Sequence, residues 1–182
     1  MSQFIIKVAK VGLLALLPLF LISNYRLEVP LGNPNELGSK YILEATGVVN
    51  TVFEGKVRFE TSIKEANNGT FTSTLVLKLE NVEEGHQHAV EFLISRQDSP
   101  NELPVGTYKV TKNIEGFMDS FDGIFGYANF KALGELPFFA KQGTITISGL
   151  HDDFLQGSLE ITMYNADEQE ITISGSFVAS PL

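Results

Sequence analysis

Beyond residue 40 the apolar residues recur at every second position, and that period limits what the chain can fold into more than any other feature. Val57, Phe59, Thr61 and Ile63 alternate with Lys56, Arg58, Glu60 and Ser62, while Phe71, Leu75, Leu77 and Leu79 alternate with Thr72, Thr74, Lys78 and Glu80. Successive side chains of a strand point to opposite faces, so such a run is a strand with one face buried and the other in water. Val90, Phe92 and Ile94 repeat the pattern. Tyr108 and Val110 follow, then Ile145 and Ile147, then Leu159, Ile161 and Met163, and last Ile171, Ile173 and Phe177. The breaks carry turn chemistry: ANNGT at 66–70, DSPNELPVG at 98–106, LHDDFLQ at 150–156 and NADEQ at 165–169. Breaks this short join antiparallel neighbours, because parallel ones need a crossover of about a dozen residues or more. The expectation is an all-β fold, an antiparallel β-sandwich or β-barrel of eight to nine strands, as one domain over residues 41–182.

One segment departs from the rhythm. In NIEGFMDSFDGIFGYANFKALGELPFFAKQ, residues 113–142, Phe117, Phe121 and Phe125 recur every four residues with Ile114, Met118 and Ile124 beside them. That is a helical stripe, yet Gly116, Gly123 and Gly126 would each cost a helix about 1 kcal/mol. The compromise is one short helix or an aromatic loop that caps an end of the β-structure. Phe117, Phe121, Phe125, Phe138 and Phe139 then form an apolar surface, or the lid and wall of a pocket for an apolar ligand.

The first forty residues are of a different kind. Lys7 and Lys10 precede an uncharged run from Val11 to Ile22, 12 residues long, in the positive-then-apolar order of an export signal. The run is shorter than the roughly 20 residues a membrane-crossing helix needs, and Pro18 interrupts it. Residues 1–23 therefore read as a signal peptide, with a retained anchor over residues 4–22 as the alternative. Residues 24–40 hold a strand-like alternation of Tyr25, Leu27, Val29 and Leu31 and then a Gly/Asn/Pro linker. Freed as a new N-terminus, those four residues could add as a strand to an exposed sheet edge, in this chain or in a neighbouring copy.

The signal's end, Leu21-Ile22-Ser23-Asn24, resembles that of a bacterial lipoprotein with Asn24 in place of the acylated cysteine. With VGTYKV, FFAKQGTITISG and ITISGSFVA, the chain resembles small envelope β-domain proteins of Bacteroidota-type bacteria over residues 41–180. The resemblance implies an exported β-domain, periplasmic, at the cell surface or secreted, and it supplies no catalytic residue. Lipidation is excluded, because the chain has no cysteine. The same absence removes disulfides, thiolate-bound zinc and thiol nucleophiles.

Charge narrows the partners. All 22 acids lie at or beyond Glu28, and 11 of the 13 basic residues remain once Lys7 and Lys10 are set aside. An excess of 11 negative charges repels phosphate backbones, so nucleic acid is not an expected partner. An envelope or surface protein, or self-association, is.

Catalytic signatures are missing: the chain has no Gly-x-Ser-x-Gly, no phosphate-cradling loop and no His-Glu-x-x-His. The nearest thing to a site is His86-Gln-His88, two imidazoles whose spacing would put them on one face of a strand, as a divalent metal requires. A third ligand would have to come from His151, Glu84 or Asp152. The rival reading makes Glu83-Glu84-Gly85 a turn that ends in two solvated histidines. The balance favours a non-catalytic exported β-domain with a binding or structural role and no cofactor. An apolar-ligand carrier, a self-assembling filament subunit and a metal-dependent enzyme using His86 and His88 are the alternatives.

Overall fold

The computed structural model describes residues 38–182 except 66–68, 98, 100–102, 104, 112–120 and 152. Nine strands follow one another: β1 (Lys40–Gly47), β2 (Thr51–Glu65), β3 (Phe71–Asn81), β4 (His88–Gln97), β5 (Gly106–Lys109), β6 (Gly123–Phe130), β7 (Phe138–His151), β8 (Phe154–Tyr164) and β9 (Glu170–Pro181). Apart from β5, each strand pairs antiparallel with the next in sequence, and β9 returns to pair with β1. The result is a closed, antiparallel, eight-stranded up-and-down barrel with β5 as an extra strand. Closure decides between the two architectures left open by the sequence, and it removes the free edges an open sheet would expose.

The alternation seen in the sequence is the barrel's inside-outside period. Val57 and Phe59, then Leu75, Leu77 and Leu79, then Val90, Phe92 and Ile94 point inward and are buried. Ile145, Ile147, Leu159, Ile161, Met163, Ile171, Ile173 and Phe177 join them in one continuous core. An eight-stranded barrel is just wide enough for its own side chains to fill. Each large apolar side chain so buried contributes about 1.5–3 kcal/mol, and a one-residue slip of any strand would turn its whole set outward. Lys56, Arg58, Glu60 and Glu80 stand exposed on the outer face. Apolar inside and charged outside is the reverse of a membrane-spanning barrel. Among the described residues no helix is long and apolar enough to cross a membrane.

The turns form as their residues dictate. In NADEQ the Asn165 Oδ1 accepts the amides of Asp167 and Gln169 at 3.1 and 3.0 Å, and Glu168 takes a positive φ of 60° between them. At LHDDFLQ, His151 pairs with Phe154 where β7 ends and β8 begins.

The segment read as helical is where expectation and structure part. Residues 123–130 are the strand β6, a single 3-10 turn spans Lys131–Leu133, and Phe138 opens β7. The stripe misleads because β6 places two small residues, Gly126 and Ala128, on its inner face and two aromatic ones, Phe125 and Tyr127, on its outer face. Ile124, Gly126, Ala128 and Phe130 point inward, Phe125 and Tyr127 outward. Gly126 has to be small: a Cβ there would fall 2.4 Å from the ring of Phe92, its partner on β4, which fills the space instead. Residues 113–120, with Phe117, fall outside the described set, as do Tyr25, Leu27, Val29 and Leu31.

The barrel seam lies between β6 and β7. These strands pair only at Tyr127–Phe139 and Ala128–Phe138 before β7 bends away at a bulge between Ala140 and Gln142. From Thr144 to Ile147 its free side is taken by β5. Val110 then bridges to Ile124, and the Thr111 amide bonds the Ile124 carbonyl at 3.1 Å. The extra strand is thus a wedge that fills the seam at one end of the barrel.

Candidate functional site

The two ends of the barrel are built differently. Tyr41 on β1 pairs with Gly55 on β2, next to the Lys56–Glu80 pair of β2 and β3, and Asn81 on β3, His88 on β4 and Phe130 on β6 are register partners in one row. Gly55 leaves a passage, since a Cβ there would sit 2.9 Å from the Tyr41 hydroxyl. Tyr41 reaches through it to hydrogen-bond His88 Nε2. The other ring nitrogen, Nδ1, lies 2.7 Å from the His86 carbonyl oxygen, which can only accept, so Nδ1 carries the proton and Nε2 accepts from the tyrosine. Phe53 packs on the imidazole with ring centres 4.6 Å apart, Phe130 stacks on Phe53 at 4.8 Å, and Phe138 meets Phe130 edge-on at 5.8 Å. Burial lowers the His88 pKa, and the bond to the His86 carbonyl opposes that only in part. Burial likewise raises the Tyr41 pKa, helped by Glu80 and Glu54, so the hydroxyl keeps its proton. Every polar atom of this pair is satisfied. It is a plug.

The two histidines singled out from the sequence therefore part company. His88 opens β4 and is buried, whereas His86 precedes the strand, is exposed, and belongs to the turn closed by its own amide on the Glu83 carbonyl at 3.0 Å. His151 stands at the far end of β7, its ring tilted against Phe154, Glu84 is exposed, and Asp152 is outside the described residues. Among the described residues no group of three or more His, Asp or Glu side chains is arranged to hold a metal. The phenylalanines divide too. Phe121 and Phe138 are core residues, while Phe125 and Phe139 pair with each other on the outer face, ring centres 6.5 Å apart.

At the opposite end, where β5 wedges the seam, an open groove of about 680 Å³ runs between the last residues of β4, β5 with its extension, and the start of β6. Its lining includes Ser95, Arg96, Tyr108, Lys109, Thr111 and Asp122. Ser95 is only 1% exposed, and its hydroxyl has no hydrogen-bond partner among the described residues. A buried unpaired hydroxyl costs about 1–3 kcal/mol, and this is the one buried side-chain polar atom without a partner among the described residues. Arg96 hydrogen-bonds the Tyr108 hydroxyl, which holds the guanidinium at the groove and partly offsets the rise that burial gives the tyrosine's pKa. One Asp122 carboxylate oxygen accepts the Gln97 amide at 2.7 Å, tying the start of β6 to the end of β4.

No family model, curated protein or solved structure matches this chain.

Sequence reasoning passed over Ser95, Arg96 and Lys109. Ser95 falls on the outward parity of β4, where a serine signifies nothing, and the β5 residues that line the groove with it come from a different part of the chain.

Proposed function

We propose that the chain is an exported, non-catalytic β-barrel domain with a binding role, and that it binds a small molecule at the β4–β5–β6 groove. The observation that carries the reading is the Ser95 hydroxyl, buried in the lining of an open polar groove without a partner among the described residues. A hydroxyl of that kind is retained at a cost in stability, which a ligand able to hydrogen-bond it would repay. The packed interior adds support, because a barrel filled by Leu75, Leu77, Phe92 and Ile94 has its own side chains where an internal carrier would hold its cargo. The early lysines and the apolar run behind them support export.

Amide chemical shifts of the full chain, followed during a screen of small polar molecules, test the site. Binding should move the resonances of residues 95–97, 107–111 and 122–123 together. Hits confined to the His88 end, or to the outer Phe125–Phe139 pair, would refute the placement.

A further inference from the structure

We infer that the ligand of this groove is a small organic anion held by a carboxylate, an inference that rests on the groove being the binding site. The domain is strongly acidic, with 22 acids against 11 basic residues beyond the first 23, and such a surface repels anions in general. The groove is an exception to that balance. Two cations, Arg96 and Lys109, line it against one acid, Asp122, and an oxygen of that acid is already engaged by the Gln97 amide. A guanidinium presents a rigid fork of donors that matches the two oxygens of a carboxylate, and Tyr108 holds this one in place. Lys109 adds a second positive charge on a flexible stem. Ser95 supplies a donor with no competing partner among the described residues, free to bond a carboxylate oxygen or a hydroxyl on the neighbouring carbon. The space is open and polar, which suits a hydrophilic molecule of a few carbons and not a lipid tail.

Ligand specificity follows from this set of donors. A carboxylate satisfies the guanidinium fork and leaves an oxygen for Ser95, whereas a neutral analogue of the same shape leaves the cations unpaired. The probes are therefore lactate as the hydroxy acid, lactamide as its neutral isostere, and inorganic phosphate as an anion without a carbon skeleton.

Each probe is titrated into the full-length protein while the backbone amides are observed. Lactate should give saturable shifts at Ser95, Arg96 and Lys109, with lactamide weaker by roughly tenfold, as expected when a charge-assisted bond becomes neutral. Arg96→Lys should lose most of the lactate affinity, because it keeps the charge and removes the fork. Ser95→Ala should weaken lactate and leave phosphate less affected. Equal binding of lactate and lactamide at the groove would overturn the carboxylate assignment while leaving the groove a binding site. Saturable phosphate binding stronger than lactate, abolished by Arg96→Lys, would replace the carboxylate with a phosphoryl group and overturn the inference as stated. Shifts that fail to saturate with any of the three, alongside groove shifts from uncharged molecules in the wider screen, would likewise overturn the anion while the site survives. No groove response to any molecule would bring down both readings together.

Discussion

The two ends of this barrel handle buried polar groups in opposite ways. At the β4 N-terminus, Tyr41 and His88 satisfy each other, the imidazole's second nitrogen finds the His86 carbonyl, and Phe53, Phe130 and Phe138 exclude water around them. At the β4 C-terminus the strand carries a buried serine beside an open groove, and its hydroxyl has no hydrogen-bond partner among the described residues. The same strand thus has a closed, self-sufficient end and an end with unused hydrogen-bonding capacity. A fold has reason to keep the first for stability, and the second persists at a cost that stability alone does not explain.

The largest effect should come from the closed end. Phe138→Ala removes a fully buried ring from the aromatic plug and should destabilise the protein by about 3–5 kcal/mol, read as a lowered denaturant midpoint. Lys109→Ala at the groove should shift the same midpoint by no more than about 0.5 kcal/mol, because the side chain is exposed. Comparable losses at the two sites would erase the contrast.

Much of that contrast was invisible in the sequence, for reasons that differ by element. Strands β2, β3, β4, β8 and β9 were legible because one face of each is buried and the other charged or hydroxylated. Strand β6 was not, since Gly126 yields its place to the Phe92 ring and the aromatic Phe125 and Tyr127 stand on the outer face. Barrel closure was equally hidden: it rests on pairs such as Leu43 with Gly175 and Ala45 with Ile173, separated by most of the domain. His88 drew attention as a ligand because the spacing His-x-His carries no record of Tyr41, which reaches it from another strand through the gap at Gly55. The groove needs three segments distant in sequence and a short strand out of meander order, none of which leaves a local pattern.

A second effect, smaller than the first, probes the Tyr41–His88 bond itself. Tyr41→Phe keeps the ring and leaves Nε2 of His88 buried without a donor, at a cost of about 1–3 kcal/mol. His88→Leu should cost a similar amount by stranding the tyrosine hydroxyl. The double variant should then cost less than the two single changes added together, because each has already forfeited the same bond. Strict additivity in that cycle would mean that the pair is not coupled.

The same pair sets a pH dependence. Burial places the His88 pKa below its ordinary value of 6.5 in the folded state, so the unfolded chain takes up a proton more readily. The stability this contributes is complete above about pH 6.5 and is lost as the pH falls below that value. Melting temperature should therefore be level from pH 8 to about 7 and decline from about 6.5 toward 5, before most carboxylates titrate. His88→Leu should flatten that decline, whereas His86→Ala, at an exposed position, should leave it in place. A decline that survives His88→Leu would assign the effect elsewhere.

The smallest effect is expected at Ser95, and its sign is what matters. Removing a hydroxyl at the closed end, by Tyr41→Phe, breaks a bond and destabilises. Removing one at the open end breaks no bond among the described residues, because the Ser95 oxygen has no partner there. Ser95→Ala deletes a buried polar atom that has given up water for nothing, and it leaves a methyl group of nearly the same shape. The variant should match the parent protein or exceed it by up to about 1 kcal/mol, a shift of a few degrees for a domain of this size. Lactate should reverse the order if the anion assignment holds, because the parent gains binding energy through the hydroxyl that the variant lacks. Differential scanning calorimetry of both proteins, with and without lactate, measures the sign and its reversal. Destabilisation by Ser95→Ala in the absence of ligand would show that the hydroxyl is already satisfied within the fold, and the groove would lose the feature that sets it apart from the plugged end.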